Sequence, residues 1–345
     1  MAHILVIRLS AIGDVAMTIP VIYSVARAYP QHTFTVLTQA FLIPLFKNRP
    51  TNVEMIGINT QGAEKSLWGL LRFCSVLLRY PFDKVIDLHD VIRTKIIRNL
   101  FHLKRKPVFV MHKNRQETAQ LTRPAQKVMR PLRPVIDRYG DTFRQAGFPF
   151  ENTFTSLYET HPAPLEQIEA FTGPKQGHWL GIAPFAKHAG KIYPIDQMEQ
   201  VLATLSKEEG MTIFLFGSKG YEEAILDEWQ YRYPHVKNVV GKFSLDQELA
   251  LMSQLDLMVS MDSANMHFAS LVGTRVLSIW GATHPYAGFY GYRQRPEDCI
   301  QLEHACRPCS VFGQKPCLWG DLSCLEGIQP EEVVQHIHNC LSTSV

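Results

Sequence analysis

Asp14 stands just past the first apolar run of the chain, one residue beyond Gly13, where a carboxylate can take a proton or accept a hydrogen bond. The run His3 to Leu9 is apolar without strict alternation, the pattern of a buried parallel strand. Ser10-Ala11-Ile12-Gly13 turns the chain, and Gly13 offers the backbone freedom such a turn uses. A helical pattern follows, so Asp14 falls beyond the carboxyl end of a strand, where open α/β sheets bind ligands. The same position suits a helix N-cap. Spacing alone leaves both roles open. Neither a GxGxxG dinucleotide fingerprint nor a P-loop GK[ST] follows the strand.

A second dense segment is Val259-Ser-Met-Asp262-Ser263-Ala264-Asn265-Met-His267. An apolar strand ends at Met261 and a short helix opens at Asp262-Ser263. Its unpaired amides and dipole make an anion site, and Ser263 adds a hydroxyl. A capped helix carrying a buried His267 is the plainer alternative. Lys187 and Lys191 lie in the loop after the strand that ends at Pro184, and Lys191-Ile-Tyr-Pro194 leads into a helix. Gly217-Ser-Lys-Gly220 follows another strand, with Glu222 opening the next helix, and Gly281-Ala-Thr283-His-Pro285 follows a third. These loops share one sheet edge and suit one phosphate-bearing ligand, whose ribose hydroxyls Glu222 would bind. No DxD triplet occurs, so a metal-clamped diphosphate has no obvious ligands. Helix amides plus Lys191 can neutralise a leaving diphosphate instead, which predicts metal-independent chemistry with no required cofactor. Cys306-Arg-Pro-Cys309, Cys317 and Cys324 raise a structural zinc site, although the wide later gaps favour reduced, packed thiols.

With 345 residues, 46% of them apolar and 19% charged, the chain fits two globular domains. It opens on a strand with no leading apolar signal and has no membrane span, which argues for the cytoplasm. The net charge of +3 hides an asymmetry: Arg93 to Arg138 carries thirteen Lys or Arg against Glu117 and Asp137. That excess points to an anionic partner such as lipid or phosphorylated sugar. Nucleic acid fits poorly, because the stretch lacks interleaved aromatics and any binding motif.

Strand patterns at Ile4–Leu9, Thr33–Leu37, Val53–Ile58, Lys84–Leu88 and Val108–Met111 alternate with helical patterns at Val15–Tyr29, Phe41–Lys47, Lys65–Arg79 and Val91–Leu103. A Pro- and Gly-bearing stretch interrupts, and the alternation restarts. The organisation read from this is an acceptor-binding domain over 1–160, a linker over 161–177, a nucleotide-sugar domain over 178–328 and a terminal helix over 329–345. The architecture is α/β, with two facing Rossmann-like domains and a cleft between them.

Ile7-Arg-Leu-Ser-Ala-Ile-Gly-Asp14 with Thr18-Ile-Pro20 resembles the amino-terminal motif of the heptosyltransferases, glycosyltransferase family 9. Asp262-Ser263-x-x-x-His267 with Gly281-x-Thr283-x-Pro285 is similar to that family's donor-binding block. Asp87-Leu-His89 resembles its central motif, and the Cys306-x-Pro-Cys309 tail recurs in some members. The chain departs from the family in carrying Ser263-Ala264 for the usual Thr-Gly and His89 for a frequent Gln.

The resemblance implies a GT-B fold whose last helix returns to the first domain. It implies inverting transfer of heptose from ADP-heptose to the inner core of lipopolysaccharide or a lipid A precursor, with peripheral contact at the inner face of the membrane. Asp14 would be the general base, and Lys187, Lys191, Glu222, Phe243, Asp262, Ser263, Ala264 and His267 would hold the donor, with Phe243 packing on adenine. Ser10, Gly13, Arg93, Lys95 and Arg98 would meet the acceptor. Two alternatives stand beside this: a GT-B enzyme using another nucleotide sugar, including an epimerase, or a non-catalytic nucleotide- or anionic-lipid-binding protein.

Overall fold

A computed structural model describes residues 1–343. The chain divides into two compact units, Met1–Lys113 with Pro134–Thr160, and residues 114–133 with everything from His161 onward.

The first unit is a parallel sheet of β1 (His3–Ile7), β2 (Thr33–Gln39), β3 (Val53–Ile58), β4 (Lys84–Asp87) and β5 (Val108–Val110), in the order β3-β2-β1-β4-β5. Four of the five β1 residues are buried because both sheet faces are covered, which is why its sequence does not alternate. From β1 the chain builds outward to β2 and β3, then crosses back to β4 on the other side. The order reverses between β1 and β4, with Ile7 in register with Asp87, so the turns after these two strands share the ligand crevice.

Helices α1 (Ile12–Ala16) and α2 (Ile19–Ala28) replace the single expected helix. Thr18 Oγ1 donates to the Val15 carbonyl at 2.7 Å, and Pro20, lacking an N–H, sits in the first turn of α2. Opposite them, α3 (Leu67–Leu77) and α4 (Ile92–Leu103) pack through Leu70, Cys74, Leu77, Ile97 and Phe101 onto Leu5, Ile7 and Val85. After Lys113 the chain leaves for α5 (Arg115–Thr122) and returns with α6 (Val135–Gln145), which packs on α2.

That excursion corrects the expected domain over 1–160. Residues 114–133 fold with the second unit, because Leu121 and Leu132 bury against Ala287, Phe289 and Val311 there. The Leu132 N–H also donates to the Tyr286 carbonyl at 2.8 Å. The basic stretch is therefore divided between the units rather than gathered on the acceptor half.

The second unit holds α7 (Glu166–Thr172), β6 (His178–Ala183), α8 (Ile195–Leu205), β7 (Met211–Leu215), α9 (Tyr221–Arg232) and β8 (Val236–Asn238). It continues with α10 (Leu245–Met252), β9 (Leu257–Met261), α11 (Ala264–Leu271), β10 (Val276–Trp280), β11 (Cys299–Gln301), α12 (Ser323–Glu326) and α13 (Pro330–Ser342). Its parallel sheet runs β11-β10-β9-β6-β7-β8, with the reversal between β6 and β9. Residues 161–177, expected as a linker, contain α7, whose Ile168 is buried in this unit.

The terminal helix differs from expectation too. Val333, Ile337, Cys340 and Leu341 on α13 join the second unit's own core beside Leu180 and Val201 rather than returning to the first unit. Arg275 Nη1 ties the helix down through the Cys340 carbonyl at 2.8 Å. Positions 344 and 345 of that helix, as expected from sequence, lie outside the described residues. Among the described residues, no helix is long and apolar enough to cross a membrane.

Candidate active site

In the first unit, the turn after β1 is built around an ion pair. Arg8 Nη2 lies 2.8 Å from Asp14 Oδ1, and Arg8 Nη1 donates to the Leu88 carbonyl at 2.7 Å. The guanidinium also sits over the Tyr139 ring, 5.7 Å from its centroid. Burial alone would lower the Arg8 pKa, but Tyr139, Asp14 and Asp87 outweigh it and raise it above the ordinary value.

Asp14 does not take the N-cap role that its position also suited. Helix α1 starts at Ile12, so Asp14 is its third residue, and Oδ2 reaches back to accept the Ala11 N–H at 3.1 Å. Gly13 correspondingly lies inside α1 and carries no positive φ, in place of the expected turn geometry. Both carboxylate oxygens of Asp14 are thus oriented by the protein.

The turn after β4 meets this one. Buried Asp87 accepts the N–H groups of His89 and Asp90 on Oδ1, both at 2.9 Å, and Arg98 Nη1 on Oδ2 at 2.7 Å. His89 Nδ1 accepts the Leu9 N–H at 3.4 Å, which places the ring proton on Nε2, 3.4 Å from Ser10 Oγ. Burial, with the Arg8 and Lys113 charges, pushes the His89 pKa down to about 3, so the ring is neutral near pH 7. Of the three cations expected to meet an acceptor, Arg98 is already committed to Asp87 and Asp90. Lys95 lies 3.9 Å from Asp90, and Arg93 is half-buried at the start of α4.

In the second unit, the loops after β6, β9 and β10 converge. Asp262 Oδ2 accepts Thr283 Oγ1 at 2.8 Å and lies 3.1 Å from Lys191 Nζ. Ser263 is the N-cap of α11 but makes no side-chain cap bond, and its Oγ lies 3.2 Å from Ser260 Oγ. Ala264 is the first helical residue, and His267 is buried one turn later. Gly313, with φ +73°, presses its backbone against the Lys191 stem; a Cβ there would stand 2.5 Å from Lys191 Cγ.

Arg307, wholly inside the protein, donates to the carbonyls of Gly281 and Leu302, and to that of Thr283 at 3.0 Å. It clamps the loop that carries Thr283. Burial lowers its pKa despite nearby thiols.

The remaining sequence candidates fall outside this cluster of bonds. Glu222 Oε2 accepts the Ser218 N–H at 2.6 Å and so shapes the Gly217–Gly220 turn. Phe243 makes an edge contact with Phe171, centroids 5.2 Å apart. Lys187 is exposed. Cys306, Cys309, Cys317 and Cys324 are free thiols, and Cys309 Sγ donates to the Cys306 carbonyl at 3.3 Å. Among the described residues, no group of three or more His, Cys, Asp or Glu is arranged to hold a metal ion.

Sequence reasoning gave no role to Arg8, Arg307 or Gly313 and left Thr283 as part of a motif. Arg8 offered one signal: an arginine inside an otherwise apolar strand requires a buried partner.

The chemistry available is therefore an oriented carboxylate in one unit and, in the other, a cation beside a helix amino terminus.

The family model for glycosyltransferase family 9 (heptosyltransferase) matches residues 70–315. The chain is 24% identical over 284 residues to the lipopolysaccharide core heptosyltransferase OpsX of Haemophilus influenzae, covering 81% of this chain and 79% of that one. Among solved structures it resembles a glycosyl transferase family 9 protein from Veillonella parvula, with TM-score 0.73, 19% identity, and 99% and 97% coverage. It also resembles the E. coli heptosyltransferase WaaC with ADP, with TM-score 0.68, 17% identity, and 98% and 99% coverage. These likenesses identify the fold as GT-B, and the family match places the chain in glycosyltransferase family 9, the heptosyltransferases.

Proposed function

We propose that this enzyme transfers heptose from ADP-heptose to an inner-core sugar of lipopolysaccharide by a single inverting displacement that requires no metal. The observation that carries the reading is the Lys191–Asp262–Thr283 arrangement at the amino terminus of α11, which sets a cation beside helix amides, a pairing suited to a diphosphate. Relatives named for lipopolysaccharide heptosyl transfer and a fold neighbour solved with ADP support the donor and acceptor classes.

In this reading Asp14 removes the proton from the acceptor hydroxyl as the sugar bond forms. Arg8 fixes the carboxylate, and the Ala11 N–H sets its rotamer. As the bond from sugar to diphosphate breaks, Lys191 and the first amides of α11 take up the developing charge, which removes the need for a metal ion. Asp262 then acts chiefly by aiming Lys191, while Ser263, Ala264 and His267 line the donor side. Lys187, Glu222 and Phe243 complete it at the outer phosphate, the ribose and the adenine. On the acceptor side, Ser10, Gly13, Arg93 and Lys95 meet an anionic core sugar, and Arg98 holds the Asp87–Asp90 turn in shape.

ADP-heptose incubated with truncated core acceptors in excess chelator tests this directly. Product of unchanged yield is expected; loss of activity that magnesium or manganese restores would overturn the metal-free part.

A further inference from the structure

Helices α3 and α4 bury their inner positions in one core cluster of the first sheet, and what they turn outward is unusual. The buried positions of α3 are Leu70, Cys74 and Leu77, so Trp68, Arg72 and Ser75 point away from the core, and exposed Arg79 follows the helix. Trp68 is 82% exposed and Leu67 58%. On α4 the buried positions are Thr94, Ile97 and Phe101, and the opposite face carries Ile92 and Leu103, each 79% exposed, beside Lys95. Exposed Lys104 and Arg105 follow immediately. No Asp or Glu occurs between Lys65 and Phe82 or between Val91 and Gln116.

A solvated surface mixes charges of both signs and hides its tryptophan. This one interleaves large apolar tips with cations and omits carboxylates. We propose that the outward faces of α3 and α4 are a docking surface for an anionic phospholipid bilayer. Leu67, Trp68, Ile92 and Leu103 would enter the head-group boundary, where an indole has both apolar and polar neighbours. Arg72, Arg79, Lys104 and Arg105 would meet lipid phosphates.

A second copy of the chain is the poorer occupant, because it would oppose arginine to arginine. The surface is also placed for use. Ile92 opens α4 directly after the Asp87–Asp90 turn that carries His89 and faces Ser10, so the face starts beside the acceptor loop and runs about 18 Å along the helix. The inference rests on the reading above that the acceptor is a glycolipid held in a membrane.

The test is sedimentation of the full chain with phosphatidylcholine vesicles, with and without phosphatidylglycerol. Binding is expected only with the anionic lipid, and it should fall roughly tenfold in the Trp68→Ser/Leu103→Ser variant and with added salt. Tyr231→Ser, which removes an equally exposed aromatic from α9, should bind as the parent does. Circular dichroism confirms that each variant is folded. Equal binding to phosphatidylcholine alone, or unchanged binding of the double variant, would overturn the proposal. So would a parent dimer that the double variant dissociates, since a second copy would then cover the face. Turnover with a delipidated, soluble core acceptor separates the two readings. It should be unaffected in the double variant; a parent that binds vesicles but transfers no sugar contradicts only the function, and one that transfers sugar but ignores vesicles contradicts only the docking surface.

Discussion

Arg8 and Asp14 form a 2.8 Å ion pair across the turn after β1, and Arg8 reaches it from a buried position immediately past the strand. The pair, with the Ala11 N–H on the other oxygen, holds the Asp14 carboxylate in one orientation near the helix start. Removing one member leaves the other charged and largely buried. Arg8→Met is therefore expected to cost about 3 kcal/mol, seen as a lowered urea midpoint for the first unit. A loss under about 0.5 kcal/mol would show that the pair is not load-sharing at the turn.

The donor side gives a binding prediction. Lys191→Met should weaken ADP binding about thirtyfold, the loss of one charge-assisted phosphate contact worth about 2 kcal/mol. Thr283→Val removes a single 2.8 Å hydrogen bond to Asp262 and should weaken it about fivefold, near 1 kcal/mol. Calorimetric titration with ADP ranks the two, and equal effects would contradict the placement of Lys191 on the phosphate.

His89 makes stability depend on pH. Its folded pKa, about 3, lies below the ordinary 6.5, so the unfolded chain binds the proton more readily. Stability is complete above pH 6.5 and falls as pH drops toward 3, by about 2 kcal/mol at pH 5 from this residue alone. His89→Gln keeps an acceptor for the Leu9 N–H and a donor for Ser10, and should flatten the acid limb of a thermal-melting profile. His284, pushed down to about 4 by burial, contributes the same slope in the second unit, so the flattening is partial.

Arg307 is held by three carbonyls and supports the loop that carries Thr283. Arg307→Met leaves those acceptors unpaired in a buried place. The expected result is a loss of about 3 kcal/mol in the second unit, read as a lower urea midpoint, with ADP binding weakened in parallel.

The sheet strands were readable because buried parallel strands are apolar runs, and β1, β4, β6 and β9 could be placed from that pattern alone. Placement of Asp14, Lys191 and Asp262 beyond strand ends followed from it. Their partners were not readable, since Arg8 to Leu88, Arg307 to Gly281 and Thr283 to Asp262 are contacts between segments distant in sequence. Residues 114–133 misled for a related reason. Their charge was legible, but the pairing of Leu121 and Leu132 with Ala287 depends on a hydrophobic partner more than 150 positions away. The α13 helix likewise showed its apolar spacing without showing which core would receive it.

The most direct measurement is mass and linkage analysis of a truncated lipopolysaccharide core acceptor after incubation with ADP-heptose, for the parent enzyme and Asp14→Asn. The parent should add one heptose with inverted anomeric configuration, and Asp14→Asn should lose about a thousandfold in kcat while binding ADP normally. No heptose on the acceptor, retained configuration, or an Asp14→Asn rate within about tenfold of the parent would contradict the account.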